Sequence, residues 1–132
     1  NGKLLELIRL TKYWNNRKVT IKIGSYLLEC MILQRYENKS VSETWWIDLE
    51  FRDLLKYLSS AILSDIEDPK GIQGNLNYFC WLDRYKISEA LHNAYNKALE
   101  ASKMEIKNKD QKSAITKWKE VLGNDFPDYT GD

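Results

Sequence analysis

Apolar residues return every third or fourth position along almost the whole chain, and nowhere do they alternate with polar ones over the length of a strand. That period lines apolar side chains along one stripe of a helix, and a stripe has to be covered by another helix. The expected fold class is therefore all-α, about five helices in a compact bundle, within a single domain over residues 1–132. A hydrophobic share of 43%, with 12% aromatic residues, supplies enough material for a real core.

The stripe Leu4, Leu7, Ile8, Thr11 and Trp14 predicts a first helix from Gly2 to Trp14, closed by Asn15-Asn16. No cap precedes it and Leu4 and Leu5 are already in register, as in a helix cut from a longer chain. A β-branched connector over residues 17–24 leads to Ser25, read as the N-cap of a second helix with Leu28, Met31, Ile32 and Tyr36 inward, ending near Asn38. Ser40 and Glu43 have capping-box spacing ahead of a third helix, Glu43 to Ile66, whose buried face is Ile47, Phe51, Leu54, Leu58, Ala61 and Ile62. Asp68-Pro69 stops it. Residues 69–83, PKGIQGNLNYFCWLD, are expected to form an ordered, docked loop, because Phe79, Trp81 and Leu82 have no use in a solvated linker. A fourth helix, Arg84 to Asn108, turns Ile87, Leu91, Ala94, Ala98 and Ala101 inward. A fifth, capped by Asp110 and ended by Gly123, does the same with Ala114, Ile115, Trp118, Val121 and Leu122.

The net charge of +1 conceals an uneven layout: residues 1–39 hold eight Lys or Arg against three Asp or Glu, and the remainder holds twelve against sixteen. This argues against nucleic-acid affinity of the chain as a whole and for an anion site in its first third. Cys30 and Cys80 sit in apolar runs without CxxC spacing, and His92 is the one histidine available to join them, which points to buried reduced thiols and away from zinc. No apolar run reaches membrane-spanning length and no charged-then-apolar leader opens the chain. A cytoplasmic location follows as the expectation, and there the sequon Asn38-Lys39-Ser40 has no role.

Residues 9–29, RLTKYWNNRKVTIKIGSYLLE, contain Arg9, Lys12, Arg17, Lys18 and Lys22 with no acid before Glu29. The short connector should make the first two helices an antiparallel pair and bring Lys12 near Ser25. A helix start offers unpaired N–H groups and the positive end of the macrodipole. With the Ser25 hydroxyl and a lysine ammonium it suits phosphate, and the Tyr26 ring beside it is a plate for a base. The same residues have an ordinary structural reading: the dipole alone favours a lysine near a helix end, serine is a common N-cap, and a tyrosine opening a helix is usually core. Spacing leaves both readings open. Elsewhere, Gly71 and Gly74 match a nucleic-acid-clamping GxxG but lack a supporting sheet. Asp65, Glu67 and Asp68 read as solvated acids, Asn75 and Asn77 as bridges to a neighbouring lobe, and His92 as a packing or surface residue. Of the adjacent Trp45 and Trp46, one is expected to face outward.

RLTKYWNN followed by KIGSYLLE resembles the stretch just after the catalytic core in nucleotidyltransferases related to oligoadenylate synthase and cyclic GMP-AMP synthase, including bacterial relatives that make cyclic oligonucleotide signals. IEDPKGIQGNLN, SEALHNAYNKALEAS and AITKWKEVLGNDFPDY are similar to the rest of that family's helical lobe, so the resemblance covers essentially the whole chain. It implies that Lys12 and Ser25 contact the triphosphate of a donor nucleotide, ATP or another NTP, and that Tyr26 stacks on a base. Arg9, one turn before Lys12, is a further candidate for the same phosphates. The Gly-Ser loop and D-x-D cluster that hold Mg²⁺ in such enzymes are not in this chain: Gly24-Ser25 enters a helix, and no D-x-D occurs. The resemblance therefore implies an N-terminal nucleotidyltransferase lobe as partner that supplies carboxylates and Mg²⁺, no cofactor in this chain, a regulatory protein as a possible further partner, and no catalysis by the 132 residues alone. Two other readings stand beside it: a non-catalytic helical module that binds an acidic partner or a nucleic-acid backbone, and the lobe of an RNA-tailing nucleotidyltransferase. As half of a two-lobed enzyme the chain is expected to expose apolar surface at Leu4 and Leu5, at one of Trp45 and Trp46, and within Tyr78–Trp81.

Overall fold

A computed structural model of the chain describes residues 2–18, 21–37, 46–107 and 111–122. They form α1 (Gly2–Lys18), α2 (Ser25–Tyr36), α3 (Ile47–Ala61), α4 (Trp81–Lys107) and α5 (Gln111–Leu122). The fold is all-α: among the described residues the sole β pairing is an isolated antiparallel bridge between Glu67 and Asn75. The long α4 packs extensively on both α3 and α5, α1 touches α2, α3 and α5, and α2 rests on α3.

The apolar stripes meet in one core. Leu7, Thr11 and Trp14 of α1, Leu28, Met31, Ile32 and Tyr36 of α2, and Phe51, Leu54, Leu58 and the following Ile62 are buried. So are Ile87, Leu91, Ala94, Ala98 and Ala101 of α4, and Ala114, Trp118, Val121 and Leu122 of α5. Each fully buried leucine or phenylalanine contributes about 1.5–3 kcal/mol relative to exposure. The Phe51 and Trp118 rings, 6.3 Å apart at 32°, join α3 to α5. Ile47, expected inside, opens α3 at 37% exposure.

Helix boundaries depart from expectation where a polar side chain binds backbone. α1 does not close at Asn15-Asn16 but continues to Lys18. Asn15 is buried, and its amide grips one connector residue by both groups: Nδ2 donates to the Ile23 carbonyl at 2.7 Å, and Oδ1 accepts from the Ile23 N–H at 3.0 Å. The amide serves Ile23 as a strand partner would, so this residue can bury its side chain without orphaning its backbone. Ser25 is the first helical residue of α2 and not its cap; Gly24 holds the cap position at φ −60° and ψ 145°. A Cβ on Gly24 would come 3.2 Å from the Tyr78 hydroxyl, so close approach favours glycine here.

α3 ends at Ala61, short of the expected Ile66, because Asn77 Nδ2 donates to the Ile62 and Ser64 carbonyls at 2.8 and 2.7 Å and satisfies acceptors just beyond the helix. α4 begins at Trp81, ahead of the expected Arg84. Arg84 lies in its first turns, nearly buried, with Nε bonded to the Phe79 carbonyl at 2.9 Å, one terminal nitrogen to the Asn77 carbonyl at 2.9 Å and the other to Asp65 Oδ1 at 3.2 Å. The loop between α3 and α4 is thus docked, but by Asn77 and Arg84; Trp81 and Leu82, expected to dock it, are exposed residues of α4.

Cys30 is buried but Cys80 is exposed, against the expectation for the pair. Leu5, Trp46, Tyr78 and Trp81 are exposed, with Leu82, Tyr85 and Ile72 adding to the apolar surface; Leu4 is half-buried. No described helix is long and apolar enough to cross a membrane. The sequon at Asn38, the Ser40–Glu43 capping box, Trp45, Asp110, Gly123 and the tail after it, and the Ile115 side chain lie outside the described residues.

Replacing Asn15 leaves both Ile23 backbone groups buried without partners, so Asn15→Ala should lower unfolding free energy by about 1–3 kcal/mol in urea denaturation. Asn16→Ala, at an exposed position of the same helix, should change it by less than about 0.5 kcal/mol.

Candidate functional site at the start of α2

Side chains from distant parts of the chain converge where α2 begins. Lys12 reaches from α1 to α2, where its Nζ donates to Glu29 Oε1 at 2.5 Å in a partly exposed ion pair. Ser25 and Glu29 are four residues apart and share one face of α2, so the Lys12 ammonium lies about one turn from Ser25. Ser25 is exposed. No acid occupies the first turn and no side chain caps it. The N–H groups of Ser25, Tyr26 and Leu27 are therefore orphan donors at the positive end of the helix dipole. Arg9, one turn before Lys12 on α1, is exposed.

Tyr26 is 37% exposed, and its hydroxyl donates to Asp68 Oδ1 at 2.8 Å. The sequence reading needed only its ring; the structure shows the hydroxyl to be an anchor. Asp68 is no solvated acid, being 3% exposed. Its carboxylate also accepts from the backbone N–H groups of Lys70 at 3.0 Å, Gln73 at 3.0 Å and Ile72 at 3.3 Å. Its main chain closes the same loop, through Gly71 N–H to the Asp68 carbonyl at 2.9 Å and Asp68 N–H to the Gly74 carbonyl at 2.8 Å. Gly71 and Gly74 adopt φ of 70° and 69°, the left-handed region in which glycine is unstrained.

The loop N–H groups, that of Lys70 first, hold the Asp68 carboxyl below the usual carboxylate range. The hydrogen bond to Asp68 in turn pushes the Tyr26 hydroxyl well above the usual tyrosine range, so it remains a donor. The loop carries Lys70 to a point where its ammonium is 5.9 Å from the centre of the Tyr26 ring. Tyr78 also arrives here, its hydroxyl beside Gly24 and its ring 4.4 Å from that of Phe79.

Of the residues singled out by sequence, Lys12, Ser25 and Tyr26 thus gather around the first turns of α2. Lys70 and Tyr78 were missed. A signal for Lys70 was present: Asp68-Pro69-Lys70-Gly71 has the Asp, Pro and Gly spacing of a type I turn, which would have fixed the loop that presents it. Asn77 does not reach outward but is buried under α3; Asn75 is exposed, with its Oδ1 accepting from the Ile66 and Asn77 N–H groups at 2.9 Å each. His92 is exposed, with its ring 6.0 Å from that of Tyr95. Burial pushes the Cys30 thiol up, away from nucleophilic use. Among the described residues no group of three or more His, Cys, Asp or Glu assembles. The arrangement can bind an anion against orphan N–H groups and lay a planar group on a tethered ring.

Because its folded pKa is depressed, Asp68 gives the loop stability that is fully present above its ordinary value of 3.8 and is lost as pH falls through the lower folded value. Hydrogen-exchange protection of the amides of Lys70, Ile72 and Gln73, taken relative to the intrinsic rate at each pH, should therefore hold down to pH 3.8 and fall below it. Tyr26→Phe should quicken the same amides at neutral pH, whereas a residue needed only for its ring would tolerate that change.

No protein-family model matches the chain. Over 131 residues, 98% of the chain, it is 35% identical to a protein of Bacillus cereus (strain VD146) named "Probable cyclic nucleotide synthase". An alignment of 133 positions covering 96% of the chain gives 26% identity to the "Cyclic AMP-AMP-AMP synthase" of Acinetobacter sp. (strain ATCC 27244 / 9458). The chain spans 38% of the length of each of these relatives. Nearly all of this sequence is therefore similar to a part, well under half, of proteins named as cyclic nucleotide synthases.

Proposed function

We propose that the chain is the helical, nucleotide-clamping part of a nucleotidyltransferase that joins ATP or other NTPs into cyclic or linear oligonucleotides. The observation that carries this reading is the exposed, uncapped start of α2 with Lys12 about one turn away and the Tyr26 ring beside it. The names of the two relatives support the reaction class.

In this reading triphosphate oxygens accept from the N–H groups of Ser25 to Leu27 and from the Ser25 hydroxyl. The Lys12 ammonium turns from Glu29 to the same oxygens, with Arg9 as a weaker contributor. The base lies on Tyr26, whose plane is held by the bond to Asp68, and Lys70 adds positive charge beside it. The carboxylates and Mg²⁺ that activate the attacking hydroxyl belong to an N-terminal nucleotidyltransferase lobe, and this chain performs no transfer without it. That lobe covers the exposed Leu5, Trp46, Tyr78 and Trp81. The assembly works in the cytoplasm and takes a regulatory protein partner.

The test is made in the protein that carries this chain. Lys12→Ala should lower NTP affinity or turnover about tenfold or more, the effect of losing one charge-assisted contact. Loss of the exposed pair with Glu29 should cost under about 1 kcal/mol of stability. Glu29→Gln frees the ammonium and should raise NTP affinity. If Lys12→Ala leaves NTP binding intact and Glu29→Gln does not improve it, Lys12 is a structural residue only and the reading fails.

A further inference from the structure

The C-terminal turn of α2 borders a cleft of about 610 Å³ that has no part in the site above. Arg35 lies about 15 Å along the helix axis from Ser25. Asp53, Lys56, Tyr57 and Ser60 line the floor at positions i, i+3, i+4 and i+7, a stripe of α3 other than the one given to the core, and Tyr95 of α4 completes the wall. The Arg35 guanidinium lies 5.4 Å from the centre of the Tyr57 ring, and the Lys56 ammonium 5.6 Å from that of Tyr95. Arg35 Nε is buried without a hydrogen-bond partner among the described residues. Neither Arg35 nor Lys56 makes an ion pair there, whereas Asp53 is bonded to Arg52 at 2.9 Å.

We infer that this cleft is a second binding site, for a nucleoside monophosphate. Arg35 and Lys56 bring two positive charges to the cleft with no ion-pair partner among the described residues, which suits an anion with several oxygens such as phosphate. Two tyrosine rings that are each faced by a cation call for a planar partner, since a base stacks on the ring and on the guanidinium plane alike. Asp53 and Ser60 are an acceptor and a hydroxyl on the same wall, suited to an exocyclic amine or the ribose hydroxyls. A free phosphate would leave both rings unused. The volume fits one small ligand.

The experiment titrates AMP into the full chain by calorimetry and maps the amides that respond by NMR, with adenosine and ribose 5-phosphate as halves of the ligand. AMP should bind, with shifts at Lys56, Tyr57 and Tyr95, and each half should bind at least about tenfold more weakly. Lys56→Gln, at an exposed position that folding does not need, should weaken AMP about tenfold. Tyr57→Leu should weaken it about tenfold also, with helicity unchanged by circular dichroism. Absence of binding, an unchanged affinity in Lys56→Gln, equal binding of ribose 5-phosphate, or shifts confined to Ser25–Leu27 would each overturn the assignment. The last of these outcomes would favour the α2 start instead, so the two sites stand or fall separately.

Discussion

A carboxylate out of contact with water is stable only where donors surround it, and Asp68 has four, the hydroxyl of Tyr26 and the backbone N–H groups of Lys70, Ile72 and Gln73. One side chain therefore does two things. It closes its own loop into a ring of inward-pointing amides, and it ties that loop to a helix 42 residues earlier in the chain. The Tyr26 ring, the Lys70 ammonium and the glycine turn between them owe their relative placement to this group. Removing its charge would loosen all of them together, since a neutral amide at that position cannot accept from four donors equally well.

The rest of the irregular backbone is held in the same manner. Asn15 grips Ile23, Asn77 covers the carbonyls beyond α3, and Arg84 fastens the Phe79 and Asn77 carbonyls to α4. Each takes hydrogen bonds that helix geometry leaves unmade, and each is buried. The helices are joined by hydrophobic area, which is insensitive to direction. The connectors are fixed by amide and guanidinium groups, which are sensitive to it. The arrangement places the start of α2 to a precision that packing alone would not provide.

This division explains how far the sequence could be read. A stripe such as Ile87, Leu91, Ala94, Ala98 and Ala101 repeats, and repetition is visible along a chain, so the all-α class, the helices and most of the core were legible, while Ile23, Leu27, Leu55, Ile66 and Leu76 were not. Asn15, Asn77, Asp68 and Arg84 do not repeat. A single buried polar residue looks in sequence like a surface one, which is why Asn15-Asn16 read as a helix end and Asp68 as a solvated acid. Lys12, Ser25 and Tyr26 could be drawn together because only a short connector lies between the two helices. Lys70 and Tyr78 could not, being separated from Tyr26 by more than forty residues of intervening α2 and α3. Tyr26 was found for its ring, while its hydroxyl bond depended on an acid that no local pattern marks.

In the nucleotide-clamping role proposed for the α2 start, the pair between Lys12 and Glu29 bears on which ions can enter. The ammonium already has a carboxylate partner, so an incoming anion must outcompete a tethered group whose local concentration is high. Chloride or acetate, with one charge, brings Lys12 nothing that Glu29 does not already give. A polyphosphate, bridging the ammonium and the N–H groups of the first turn at once, does. In the proposed function the α2 start would thus act as an ion exchanger with a threshold set by valence, at rest toward the monovalent salts that surround it and open to ligands that carry several charges on one chain.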